Sequence, residues 1–152
     1  MKIKDFLSKD CIKLNLENTD KEGHIAELVD IFVQAGTLKE SEAPSVVAKV
    51  MEREQMGSTG IGEGVSIPHI KIDGIDSIRG ALGVSSKGVE FDALDGEPVY
   101  ISFLLLTPES ATNEHLKALS EISLFLKDEY YRDDLRNAEN TKQVYKLIKR
   151  LG

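Results

Sequence analysis

Residues 53–69, REQMGSTGIGEGVSIPH, lead from a helical pattern into a strand pattern. Four of the nine residues from 56 to 64 are glycines, and this density predicts a loop. Residues 65–68 then predict a short strand that ends at Pro68, with His69 just beyond it. A helix, a loop and a strand in close succession are typical of an α/β domain.

Two helices are predicted before this segment. Apolar residues recur at helical spacing over residues 25–33, after a capping-box sequence at residues 19–22 and before a stop at Gly36. A second helix is predicted from Ser41 to about Glu54, because Ser41 is a suitable N-cap and Pro44 suits a first turn. Its predicted buried side chains are Val46, Val47, Val50 and Met51.

Two longer strands are predicted after His69. Residues 78–85 alternate with small residues, which favours a strand. Residues 99–106 include the run Ile-Ser-Phe-Leu-Leu-Leu, which is typical of a strand buried on both faces. The connection between them, residues 88–98, is predicted to be a hairpin or a turn-rich loop.

Three helices are predicted to complete the chain after a polar loop at residues 108–113. The first should present Leu116, Leu119, Ile122 and Leu126 on one buried face, and shorter helices are predicted near residues 129–137 and 142–150. We therefore predict one α/β domain over residues 1–152. Its sheet should be mixed and mostly parallel, with about five strands and with helices on both faces.

Composition excludes several classes of function. The formal net charge of −7 disfavours binding to nucleic acid or to anionic lipid, and it favours a protein partner with a basic face. No run of 18 apolar residues predicts a membrane span, and the polar first ten residues do not resemble a secretory signal. The single cysteine, Cys11, is predicted to be a buried, inert thiol in a strand. These features together predict a cytoplasmic protein.

The segment from Arg53 to His69 combines residue types that bind and carry phosphate. Its glycines expose backbone N–H groups, and Ser58 and Thr59 add hydroxyl donors. Arg53 offers a forked, permanently charged donor for phosphate oxygens. His69 offers a ring nitrogen that is neutral and nucleophilic near physiological pH.

Other interpretations of these residues are open on the sequence alone. The glycines could form ordinary turns, and a histidine after a proline could be structural. A P-loop is disfavoured because no Gly-Lys-Ser/Thr follows, and a dinucleotide site is disfavoured because a helix precedes the glycines. The combination of arginine, glycines, hydroxyls and histidine within 17 residues favours a phosphoryl site.

Two further histidines lie outside the segment. His115 follows Thr112-Asn113-Glu114 and should lie in the first turn of a helix, where a ring N–H could donate to an anion or could merely cap the helix. His24 is predicted on the polar side of the first helix, solvated and without a role. No cysteine lies near His69 or His115 and the two do not form an H-x-x-x-H motif, so no metal site is predicted.

The string Gly-Ser-Thr-Gly-Ile-Gly followed by Ile-Pro-His resembles the signature of phosphotransferase-system enzyme IIA domains of the fructose/mannitol type. That group includes the nitrogen-regulatory IIA proteins. The similarity extends over essentially the whole chain, and the spacing to Thr-Asn-Glu-His-Leu resembles the position of the second histidine of the family. One local departure is Ile70, because the family usually has a small residue after the histidine.

The resemblance implies a histidine phosphocarrier. His69 would be the phosphorylated residue, His115 would bond the phosphoryl group or orient the ring, and Arg53 would hold phosphoryl oxygens. With Ser58 and Thr59, Glu63 is also assigned to the phosphate site, since it matches an acidic position of transport-type members.

The same resemblance implies the partners. The donor would be HPr or a nitrogen-type paralogue, and no metal or cofactor is implied. The phosphoryl group would pass to a IIB domain of a sugar transporter. Alternatively, the protein would be a nitrogen-regulatory IIA-like protein whose phosphorylation controls binding to regulatory partners.

Overall fold

A six-stranded mixed sheet lies at the centre of the structure, a computed structural model that describes residues 1–151. Gly152, the last residue of the predicted domain, lies outside the described residues. The elements follow the chain in the order β1 (Ile12–Leu16), α1 (Lys21–Gln34), α2 (Ala43–Gln55), β2 (Gly60–Gly62), β3 (Val65–Ser66), β4 (His69–Ile72), β5 (Arg79–Val89), β6 (Val99–Pro108), α3 (Thr112–Lys127), α4 (Glu129–Asn137) and α5 (Thr141–Arg150).

The sheet has the order β1-β5-β6-β3-β2, and β4 pairs with β6 beyond the end of β3. β1 runs parallel to β5, and β3 and β4 run parallel to β6. The β5–β6 hairpin and the β2–β3 pair are antiparallel. The prediction of a mixed, mostly parallel sheet in an α/β domain is therefore confirmed. The additional strand segments lie in and beside the glycine loop.

β3 and β4 form one interrupted strand along β6. Val65 pairs with Ile101 and His69 pairs with Leu105, so both segments keep the same register. The interruption falls at Ile67 and Pro68, because proline has no N–H and Ile67 donates its own N–H to the Thr59 carbonyl at 3.0 Å. His69 therefore begins a strand, whereas the sequence placed it just beyond one.

β6 is buried on both faces, as its apolar run predicts. Leu104 and Leu105 point to opposite faces and both are fully buried. On one face, α1 packs so closely on the sheet that a Cβ atom at Gly83 of β5 would lie 2.7 Å from the side chain of Leu28. On the other face, Phe103 meets Phe6 edge to face, with ring centroids 5.9 Å apart.

Several local predictions differ from the structure. The side chain of Asp20 caps α1 by accepting the N–H of Gly23 at 3.0 Å, whereas the predicted capping box began at Thr19. α2 begins at Ala43 because residues 40–42 form a separate 3₁₀ turn. Cys11 is buried as predicted, but it lies in a 3₁₀ turn before β1, and burial raises the pKa of its thiol.

Helix α3 buries most of its predicted face: Ile122 and Leu126 are buried and Leu119 is partly buried, but Leu116 is not. Leu116 is 62% exposed, and the buried residues are His115, Ala118, Ile122, Phe125 and Leu126. His115 is buried beside the exposed Leu116, and its ring shares a hydrogen bond with the hydroxyl of Thr107 on β6. None of the helices in residues 1–151 is both long and apolar enough to cross a membrane.

Gly60 is required by the close approach of β2 to the backbone of the β5–β6 connection. A Cβ atom at this position would lie 2.8 Å from the Cα atom of Ala93, and backbone atoms cannot move aside as a flexible side chain can. We expect Gly60→Ala to lower the free energy of unfolding by about 1–3 kcal/mol. Urea denaturation measures it, with the exposed Ser86→Ala on β5 as the control. Equal stability of Gly60→Ala and wild type would contradict this packing.

Candidate functional site

His69 lies half-buried at the start of β4, and the backbone holds its ring in one orientation. Its Nδ1 lies 2.8 Å from the carbonyl oxygen of Ile67. Because a carbonyl only accepts hydrogen bonds, Nδ1 carries the proton and Nε2 of the neutral ring keeps a lone pair. Burial lowers the pKa of His69, and the nearby charge of Arg53 lowers it further, while the Ile67 carbonyl opposes them. The neutral, nucleophilic form is therefore favoured at neutral pH.

His115 lies beside His69, across the gap between α3 and β4. The two ring centroids are 5.4 Å apart and the rings are tilted by 59°. Nδ1 of His115 shares a hydrogen bond of 2.7 Å with the hydroxyl of Thr107. Burial lowers the pKa of His115, and a positive charge on His69, whenever that ring is protonated, and the charge of Lys71 lower it further. A second neutral imidazole is thus held next to the first.

Arg53 completes the group that the sequence predicted. It lies in the last turn of α2, half-buried, and its Nη1 donates to the carbonyl of Gly57 at 2.9 Å. Arg53, His69 and His115 line one open cleft with a volume of about 420 Å³. The structure therefore brings together the three residues predicted to do the chemistry.

Two lysines line the same cleft and were missed by the sequence analysis. Lys71 follows His69 by two positions on β4, and strand alternation places both on one face. Lys49 precedes Arg53 by four positions on α2, which places both on one face of that helix. The spacings of two residues along a strand and of four along a helix are the sequence signals that could have identified these lysines. They concentrate positive charge around His69 in a chain whose formal net charge is −7.

Ser58, Thr59 and Glu63 are not brought into this cleft. The hydroxyl of Ser58 donates to the Phe91 carbonyl at 3.0 Å and accepts the N–H of Gly60. Thr59 is buried and donates its hydroxyl to Glu54. Glu63 is exposed, with its carboxylate 3.7 Å from Arg132. Their expected contact with phosphate therefore has no geometric support, because the two hydroxyls bond within the protein and the Glu63 carboxylate lies toward Arg132.

The prediction that His24 is solvated is wrong. Its side chain is fully buried, and Nε2 lies 2.7 Å from the hydroxyl of Ser102, which in turn bonds Ser66 at 2.6 Å. Burial lowers the pKa of His24 to about 4.

Within residues 1–151, no group of three or more His, Cys, Asp or Glu side chains is arranged to hold a metal ion.

Comparison with known proteins decides the family. Residues 5–151 match the family described as phosphoenolpyruvate-dependent sugar phosphotransferase system, EIIA 2. The chain belongs to this family. The match covers every strand and α-helix described above, from β1 to α5.

Relatives of two kinds share the EIIA 2 sequence. The chain is 39% identical over 148 residues to the PTS system fructose-specific EIIABC component of Bacillus subtilis; the match covers 97% of this chain but 23% of that protein. It is 40% identical over 114 residues to a nitrogen regulatory protein of Pseudomonas aeruginosa, covering 75% of this chain and 74% of the relative.

A solved structure confirms the EIIA 2 fold. The crystal structure of nitrogen regulatory protein IIA-Ntr from Neisseria meningitidis superposes with a TM-score of 0.86. It is 32% identical in sequence, and the alignment covers 96% of this chain and 98% of that one. The family therefore supports a role as a phosphotransferase-system carrier or as a regulator built on the same fold.

Proposed function

We propose that the chain is a histidine phosphocarrier of the phosphotransferase system, phosphorylated on Nε2 of His69. The observation that carries this proposal is the hydrogen bond from Nδ1 of His69 to the Ile67 carbonyl. It leaves Nε2 unprotonated within a cleft whose lining carries three cations, Lys49, Arg53 and Lys71, and one carboxylate, Glu52. In this step the bond between phosphorus and a histidine nitrogen of the donor breaks, and a bond to Nε2 forms. Nδ1 keeps its proton, so no base is required.

Phosphoryl transfer requires positioning and stabilisation of charge more than proton chemistry. Arg53 would hold the phosphoryl oxygens from the end of α2, since its guanidinium is a forked donor of fixed charge. His115 would contact the phosphoryl group or support the His69 ring from α3, at a ring distance of 5.4 Å. The cations of the cleft would supply the charge stabilisation that a metal ion supplies in other phosphotransferases.

The donor would be phosphorylated HPr or its nitrogen-type paralogue. Residues 1–152 would accept the phosphoryl group as one domain, in the cytoplasm. The fructose-specific relative favours onward transfer to a IIB domain of a sugar transporter. The nitrogen regulatory relatives favour the second candidate, in which phosphorylation of His69 controls binding to regulatory proteins. Both candidates use the same first step and differ in the partner that follows it.

Intact-mass measurement at neutral pH tests the first step. The protein is incubated with phosphoenolpyruvate, enzyme I and HPr, and we expect a gain of one acid-labile phosphoryl group. Adding a purified fructose-type IIB domain then separates the two candidates. Loss of the label to IIB supports transport, whereas retention together with phosphorylation-dependent capture of a regulator supports the second candidate. No gain of mass with an active donor would overturn the phosphocarrier proposal.

Removing the guanidinium of Arg53 should slow phosphoryl uptake. A hydrogen bond to a charged group contributes about 1.5–3 kcal/mol, and the lower end suits an open cleft, so we expect Arg53→Ala to react about tenfold more slowly. Arg150→Ala, on the exposed face of α5, is the matched control. Rapid-quench measurement of labelled protein gives both rates. An uptake rate equal to that of Arg150→Ala would contradict a role for Arg53.

A further inference from the structure

Glu54 is a buried carboxylate that lies next to Arg53 and outside the cleft. Its side chain is almost completely buried at the end of α2, where it forms one ion pair and accepts two hydrogen bonds. Lys21 of α1 approaches it at 3.0 Å, the backbone N–H of Thr59 donates to it at 3.0 Å, and the Thr59 hydroxyl donates to its second oxygen. Such a carboxylate holds its partners firmly, because breaking a buried ion pair is strongly destabilising.

A continuous set of hydrogen bonds leads from Glu54 to the nucleophilic histidine. Glu54 holds Thr59 at its N–H and at its hydroxyl. The carbonyl of Thr59 accepts the N–H of Ile67 at 3.0 Å, and the carbonyl of Ile67 accepts Nδ1–H of His69 at 2.8 Å. Thr59 therefore holds Ile67 on the side away from β6, at the one point where the β3–β4 strand is interrupted.

We propose that Glu54 is a positioning residue for His69, acting through Thr59 and Ile67 to keep the Nδ1-protonated tautomer and so the free Nε2. This inference rests on the proposed function for its purpose, but the tautomer itself is a property of the unphosphorylated protein. The inference also gives the hydroxyl of Thr59 a role. The sequence assigned this hydroxyl to phosphate, but in the structure it donates to Glu54.

Through Lys21, the buried Glu54 connects three segments of the chain. Its ammonium group pairs with Glu54 at 3.0 Å and lies 4.7 Å from the ring centroid of Phe91. The Phe91 carbonyl in turn accepts the hydroxyl of Ser58. The start of α1, the end of α2 and the glycine loop are thereby held together. The negative charge of Glu54 also acts on His69 directly, since it opposes the lowering of the His69 pKa by burial and Arg53.

The experiment measures the tautomer of His69 by ¹⁵N NMR of the imidazole ring in the unphosphorylated protein. Glu54→Gln removes the charge that pairs with Lys21, and Thr59→Val removes the hydroxyl while keeping the side-chain shape. In both variants we expect the Nε2-protonated tautomer of His69, minor in wild type, to rise severalfold. Thr59→Ser restores a hydroxyl and should return the wild-type ratio. Val144→Ala in α5 is the control for lost stability alone, and it should leave the ratio unchanged.

Kinetics supply the second readout. Loss of orientation should lower kcat for phosphoryl uptake about tenfold in Thr59→Val, with KM for the phosphorylated donor within about twofold, because docking is unaffected. A wild-type tautomer ratio in both Glu54→Gln and Thr59→Val would overturn the inference, whatever their stability. If Glu54→Gln does not fold, the Thr59→Val and Thr59→Ser pair decides the question alone. A shifted tautomer in a protein that never takes up phosphate would support the positioning and reject the proposed function.

Discussion

His69→Ala is expected to take up no phosphoryl group from a phosphorylated donor. The variant lacks Nε2 of His69, the ring nitrogen whose lone pair is left free in the cleft because Nδ1–H donates to a backbone carbonyl. Removing a nucleophile outright lowers a rate by at least about 10⁴-fold, so labelling should fall to background. The measurement is intact mass at neutral pH after incubation with the complete donor system.

The other two histidines of the chain provide matched controls for this result. His115→Ala retains the nucleophile and should still gain one phosphoryl group, with slower transfer onward. His24→Leu alters a buried histidine outside the cleft and should label like wild type. Normal labelling of His69→Ala with no labelling of His115→Ala would mean that the two roles are reversed.

The second large effect concerns stability below neutral pH. His24 is fully buried with a pKa of about 4, against about 6.5 for the exposed side chain of the unfolded chain. Between these two values the unfolded state binds more protons than the folded state, so the free energy of unfolding falls as the pH falls. The stabilisation is complete above pH 6.5 and is lost progressively toward pH 4, and it amounts to about 3 kcal/mol for this one residue.

Urea denaturation of wild type and His24→Leu from pH 7.5 to pH 4 measures this effect. The other two histidines, His69 and His115, also have lowered pKa values, but they are common to both proteins and cancel in the difference. Leucine cannot titrate and leaves Ser66 and Ser102 bonded to each other. We expect the stability of His24→Leu to depend less steeply on pH across this window. Parallel curves for the two proteins would show that His24 does not titrate as its burial implies.

The elements that were predicted well are those with local signals. The apolar run of β6, the periodicity of α1 and the glycine density of the loop each depend on neighbouring residues, so the sequence showed them without the fold. On α3, Ile122 and Leu126 are buried as predicted, but Leu116 is exposed and its neighbour His115 is buried, in contact with Thr107 of β6. That contact joins two elements and has no local pattern.

The same distinction separates the predicted site from the observed one. His69, Arg53 and His115 were identified because their motif resembles a family signature, and the structure brings them to one cleft. Ser58 and Thr59 carry the residue types that bind phosphate, but their hydroxyls are taken by Phe91 and Glu54. A sequence states which donors exist, whereas only packing decides which of them are already satisfied.

The sequence by itself determined the fold class, the family resemblance and the identity of the candidate nucleophile, since each rests on local pattern and spacing. The tertiary structure decided which tautomer His69 adopts, why Thr59 faces Glu54 and how deeply His24 is buried. These properties depend on atoms that are distant along the chain and adjacent in space. Hydrogen-bond partners select the tautomer of a neutral ring, and burial raises the cost of charging a group, so neither property can be read from residue type alone.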